Sequence, residues 1–284
     1  MIAATWNVDL ANDFGERIGK MADEMGVSGW YAPAMNTHRS AFAGRNFEYY
    51  SEDGVLGGNM AANAILGAQE HGVYAYMKHF ALNDQETNRC GMLCTWANEQ
   101  SIREIYLKPF EIAVKDGGCQ AVMSSFNYIG TTWAGACDEL LNNVLRDEWG
   151  FNGAVITDFS DHHKYMNGDQ ALRAGGSLWM SGFSGKMACE TGSNSYMQAL
   201  RRAAKQTLYM YLHVRVTNRD YAESIGDTAA LRHDFKPAVL GWRHLVALID
   251  LVAVALFALA IRGIVRDVKL YKAAKAARAE NKNA

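Results

Sequence analysis

An alternation of short apolar runs with longer amphipathic stretches constrains this chain more than any other feature. The runs are 27–34, 73–80, 121–126, 154–157 and 177–180, each with a glycine in or near the preceding turn. Between them lie 58–69, 98–115 and 138–148, long enough for helices that cross from one strand to the next. Strands apolar on both faces and linked by helices predict a parallel sheet in an α/β fold. Five such units are visible, whereas a closed (β/α)8 barrel takes eight. The sheet is therefore open, or belongs to part of a barrel.

Composition removes several classes. The 284 residues are 49% hydrophobic and 20% charged, which is ordinary globular usage and excludes a disordered or fibrous chain. A formal net charge of -2 gives no general electrostatic reason to bind nucleic acid. The five cysteines are too few and too scattered for a disulfide scaffold and are expected to be buried thiols. Cys90 and Cys94 miss the two-residue spacer of zinc knuckles, so no metal is assigned to them.

The two ends differ. The N-terminal stretch has an early acidic residue and no uninterrupted apolar core, so it does not read as a secretory signal. Residues 245–261, LVALIDLVAVALFALAI, carry only one charge, Asp250. With apolar flanks this approaches the roughly 20 residues a membrane span requires. A single membrane helix is expected over 238–265, with Trp242 at an interface. A basic tail over 266–284 would then be cytoplasmic, near anionic lipid head groups, and the preceding part extracytoplasmic. The polar stretch between reads as a terminal helix at 195–214 followed by a linker, together 184–237.

In parallel α/β folds chemistry gathers at the carboxyl ends of the strands. The run from Val73 closes on Lys78 and His79, the run 154–157 on Asp158, and the run from Ala121 on Phe126 and Asn127, while the loop after Ala34 reaches Arg45. A carboxylate at the mouth of a sheet, ringed by Lys, His and Arg, suits a sugar. The cations donate to hydroxyls, and a histidine donates or accepts. Nearby cations are expected to lower the carboxylate's pKa and keep it ionised to meet an oxocarbenium-like centre.

Six stretches carry a family resemblance: GRNFEYYSED (44–53), KHFALNDQETNR (78–89), IREIYLKPFE (102–111), AVMSSFNYIG (121–130), LRDEWGFNGAVITDF (145–159) and RAGGSLWM (173–180). In this order they resemble the barrel domain of a β-glucosidase of glycoside hydrolase family 3, over roughly residues 1–183. The resemblance implies a TIM-barrel-like (β/α)8 domain lacking its first strands. It also implies an exo-acting enzyme that hydrolyses terminal β-D-glucosyl units, from a β-glucoside or oligosaccharide, with retention and without a metal or cofactor.

Carried over by position, it makes Asp158 the nucleophile. Arg45, Lys78 and His79 would hold the sugar hydroxyls, with Arg89 supporting the site. Phe159 is expected to stack on the sugar face. Phe126 stands where many relatives have Tyr, and Gly54 where Pro commonly follows SED. The acid/base carboxylate, which retention requires about 5 Å from the nucleophile, usually comes from an α/β-sandwich domain. Such a domain is expected upstream, as in permuted members. A β-xylosidase or other exo-glycosidase of this family stays open as an alternative, as does an inactive membrane-tethered carbohydrate-binding fragment.

Other residues have plainer readings. Asp161, His162 and His163 beside Asp158 are not read as a metal site, Trp30 and Trp133 are read as packing, and Glu86 is a weak acid/base candidate. Glu48, Glu52 and Asp53 read as helix-start and ion-pair residues, with Glu48 placed to orient Arg45.

Overall fold

The computed structural model describes residues 1–160, 165–181 and 192–215, and beyond these 251, 252, 257, 259–263, 266 and 269. Residues 1–232 form one compact unit and 233–284 a second, whose described residues are helical.

In chain order the first unit runs α1 (Val8–Glu24), β1 (Gly29–Trp30), α2 (Gly54–Glu70), β2 (Tyr74–Phe80), β3 (Cys94–Thr95) and α3 (Glu99–Ser101). A π-helical run (Ile102–Tyr106), α4 (Lys108–Lys115), β4 (Ala121–Ser124), β5 (Tyr128–Ile129) and β6 (Thr132–Trp133) follow. A second π-helical run (Glu139–Glu148), β7 (Ala154–Ile156), α5 (Gly168–Arg173) and α6 (Asn194–Arg215) complete it. The order β1-β2-β4-β7 is entirely parallel. A bridge from Ile156 to Leu178 adds the fifth apolar run at the edge. Successive parallel strands in chain order, each followed by a helical connection, make a TIM-barrel-like α/β arrangement. A small second sheet, β3-β5-β6, lies beyond the ends of β2 and β4 in sequence and was not anticipated.

Helix starts follow ordinary capping chemistry. The Asn7 side chain accepts from the N–H groups of Asp9 and Leu10, and Asp53 from those of Val55 and Leu56. The single helix expected over 98–115 is instead broken into α3, a π turn and α4. Pro109 has no N–H to continue the ladder, and the helix restarts around it. Helix α2 is buried nearly all round, which explains its run of Gly and Ala. A Cβ on Gly15 of α1 would stand 2.1 Å from the Ala64 carbonyl oxygen, and one on Gly67 2.3 Å from that of Asn12, so the two helices meet at backbone distance.

Period-two alternation divides the sheet into two faces. Ala75, Met77, Val122 and Val155 pack with Ile65 of α2, Phe110 of α4 and Leu141 and Leu145 of the second π-helical run. The alternate residues Tyr76, Ala121, Met123, Ala154 and Ile156 form a separate cluster with Met210 of α6. Half-buried Arg146, on the second π-helical run, donates to the carbonyls of Gly153 (3.0 Å) and Gly175 (2.8 Å), which precede and follow β7 in the chain.

Two expectations are corrected here. Among the described residues no helix is long and apolar enough to cross a membrane, which overturns the single-pass helix over 238–265. The extracytoplasmic and cytoplasmic assignments and the lipid contact fall with it. Of that range only 251, 252, 257 and 259–263 are described, and the remainder lies outside the described residues. The thiols are also not uniformly buried: Cys119 and Cys137 are, whereas Cys90 and Cys94 are exposed. Cys189 lies outside the described residues.

Candidate active site

Strand parity brings the key side chains to one place. Lys78 continues the series Tyr74, Tyr76; Asp158 continues Ala154, Ile156; Met180 continues Leu178. His79 breaks the alternation, because the pairing of β2 with β4 shifts between Met77 and Phe80. Two consecutive residues therefore face one cavity of about 490 Å³, lined also by Tyr31, Arg45, Phe47, Glu86, Arg89, Met123 and Asp158.

Asp158 is 8% exposed. Its Oδ1 accepts from the Phe159 N–H at 2.7 Å, while its buried Oδ2 has no hydrogen-bond partner and lies 3.7 Å from His79 Nε2. Burial raises the Asp158 pKa, against the opposing pull of the Phe159 N–H and the charges of Arg89, Arg45 and Lys78. The expected downward shift is thereby reversed: the cations pull as anticipated, but desolvation outweighs them. Lys78 is lowered by burial, partly offset by Glu48. His79 is held well below the ordinary histidine value by burial and then by Arg45, Lys78 and Arg89.

The cations are interleaved with carboxylates. Lys78 Nζ lies 3.8 Å from Glu48 Oε2, and the other Glu48 oxygen bonds Arg45 Nε. Glu86 stands 3.7 Å from Arg45 Nη1 and 3.1 Å from Arg89 Nε. Lys78, Glu48, Arg45, Glu86 and Arg89 thus form one alternating chain. Glu48 orients Arg45 as anticipated. Glu86 engages two guanidinium groups, an arrangement that suits an orienting carboxylate better than a proton donor.

Arg45, Lys78, His79, Arg89 and Asp158 therefore converge, and Phe126 and Phe159 stand differently. Phe126 is buried among Tyr128, Trp133 and Met166, and touches the site through Arg89, whose guanidinium carbon lies 4.5 Å from its ring centroid. Phe159 is 37% exposed and contributes its N–H to Asp158. Trp133 is buried, with Nε1 donating to the Ser125 carbonyl, and Trp30 packs on the main core. Asp161, His162 and His163 lie outside the described residues. Tyr31, Phe47, Met123 and Met180 were missed as lining residues. Met123 and Met180 were legible from parity, since both lie on the face that carries Asp158. The arrangement offers a carboxylate with one free oxygen, a neutral imidazole and three cationic donors around one opening, a set that can grip hydroxyls and meet positive charge at carbon.

Comparison with known proteins identifies the family. Residues 1–215 match the model described as the glycosyl hydrolase family 3 N terminal domain. Beta-glucosidase A of Butyrivibrio fibrisolvens is 42% identical over 178 residues, which is 62% of this chain and 21% of that protein. Beta-glucosidase B of Emericella nidulans is 42% identical over 182 residues, 64% of this chain and 21% of that protein. The solved structure of beta-glucosidase 3B from Thermotoga neapolitana in complex with glucose has a TM-score of 0.68 and 36% identity, covering 78% of this chain and 32% of that one. The chain spans about a fifth of the length of these curated relatives. Because the family model runs through three quarters of its length, the chain belongs to glycosyl hydrolase family 3.

Proposed function

We propose that this chain carries the nucleophile half of a retaining exo-β-glucosidase site. Asp158 attacks the anomeric carbon of a terminal β-D-glucosyl unit, and the C–O bond to the leaving group breaks as the ester to Asp158 forms. Water then attacks the same carbon and releases glucose with the original configuration. Arg45, Lys78 and His79 hold the sugar hydroxyls, and Arg89 steadies the charge of the site. The proton for the leaving group comes from an acid/base carboxylate outside the described residues, on a further domain expected to be an α/β-sandwich. That the matched stretch covers only about a fifth of these relatives supports this division.

One observation carries the reading: Asp158 Oδ2 is buried at the cavity, without a hydrogen-bond partner, beside His79 and within the field of three cations. A 2,4-dinitrophenyl 2-deoxy-2-fluoro-β-glucoside tests it, because this leaving group departs without protonation and the fluorine slows release of the intermediate. Mass spectrometry should find the fluoroglucosyl adduct on Asp158 in the native chain and no adduct in Asp158→Ala. Labelling unchanged by that substitution would reject the nucleophile. The xyloside analogue, run in parallel, reads the preference for sugar.

A further inference from the structure

Asn36 lies on the segment that leaves β1 and is 2% exposed. Both ends of its carboxamide engage one residue: Nδ2 donates to the His79 carbonyl oxygen at 2.9 Å, and Oδ1 accepts from the His79 N–H at 2.8 Å. A neighbouring strand would normally satisfy these two groups. At His79 the β2–β4 ladder changes register, and the side chain of Asn36 takes the place of the missing strand partner.

The clamp is itself anchored on both sides. Before it, the Met35 N–H donates to the Lys78 carbonyl and the Lys78 N–H to that of Pro33. After it, the N–H and Oγ1 of Thr37 both donate to buried Asp84 Oδ1, at 3.1 and 3.2 Å. Residues 33–37 are thus fastened to 78–84 along their length, with Asn36 opposite the residue whose ring meets Arg45 and Asp158.

We infer that Asn36 is a positioning residue: by holding both main-chain polar groups of His79, it sets where the imidazole stands between Arg45 and Asp158. The consequence for sugar binding rests on the proposed function, whereas the placement of the ring does not. Two variants separate this from a role in folding alone. Asn36→Ala removes both bonds; Asn36→Asp keeps the shape and the acceptor but loses the donor, and it serves if the alanine variant does not fold.

The primary readout is the His79 ring signal in ¹³C,¹⁵N-labelled protein, assigned with His79→Gln. The second is affinity for a glucose-configured iminosugar by calorimetry. Displaced His79 ring signals in both variants are expected, with binding weakened at least tenfold in Asn36→Ala and less in Asn36→Asp. A lowered melting temperature with unmoved His79 signals would overturn the inference and leave Asn36 a structural residue. If the native chain binds no iminosugar, the proposed function fails, and the ring signals still decide the role of Asn36.

Discussion

Arg45 Nη1 stands 3.1 Å from His79 Nε2. A guanidinium only donates, so the imidazole nitrogen facing it is the acceptor and the ring proton belongs on Nδ1. His79 is therefore a neutral group placed among cations. It supplies the cavity with a polar edge and adds no further positive charge.

The His79 ring should remain unprotonated at pH 6.5, where an ordinary histidine is half titrated. Its folded-state pKa is depressed, by burial and then by Arg45, Lys78 and Arg89. The unfolded chain consequently takes the proton first, so the stability linked to this group is full above pH 6.5 and is lost as pH falls through the folded value. Arg45→Ala should move the titration upward. Ring resonances followed by NMR from pH 5 to 8 check both statements, and a native midpoint at the ordinary value would contradict them.

Asp158→Asn should make the protein more stable at pH 7, by about 1 kcal/mol, while abolishing covalent labelling. The carboxylate is buried with one unpartnered oxygen and its pKa is raised, so folding disfavours its charged form. A melting curve at pH 7 reads the change. A clear loss of stability would show that Asp158 is a net structural asset in its ionised form.

Asp84 gives stability a slope of known sign. Burial raises its pKa from 3.8 to about 6, although Thr37 donates to it. A raised folded value means that the contribution is complete below the unfolded pKa and disappears as pH climbs through the folded one. Between pH 4 and pH 6 the native chain should lose about 2 kcal/mol relative to Asp84→Asn. Urea unfolding of both proteins across that interval measures the difference, and parallel pH curves would refute it.

Gly57→Ala and Gly67→Ala, both in α2, should change stability in opposite directions. A Cβ at Gly57 meets only the Tyr50 side chain, at 3.8 Å, so alanine should add roughly 0.5–1 kcal/mol through lower chain entropy. At Gly67 it would collide with the Asn12 carbonyl and the Glu16 amide of α1, costing about 1–3 kcal/mol or more. Chemical denaturation of the two variants decides it.

Much of the architecture was legible because its signals are periodic or terminal. All five apolar runs join the parallel sheet, four as strands and the last through Leu178, and α6 occupies the anticipated stretch. The gathering of Lys78, His79 and Asp158 follows from strand ends, that of Arg45 from the loop after the first run, and that of Arg89 from the family pattern. What escaped has a common physical cause. Strands β3, β5 and β6 are two residues long, too short to show a period. Helix α1 is the exception, since Leu10, Ala11, Phe14 and Ile18 recur at helical spacing and could have announced it; only its close packing through Gly15 and Gly19 leaves no apolar trace. The sign of the Asp158 shift depends on how much water is excluded, which no linear pattern records. The apolar stretch near the C-terminus shows the converse error, since an apolar composition does not by itself specify a membrane span.

The placement of Asp158 by counting in twos from Ala154 has a consequence for inheritance. A single codon inserted or lost within β7 would advance the phase by one. The same TDF tripeptide would then be present, but with its carboxylate turned toward the helices and a threonine or phenylalanine at the opening. A length change in a loop leaves this placement intact where one inside the strand does not, and a homologue that keeps the motif with an altered count should be regarded as having a different site.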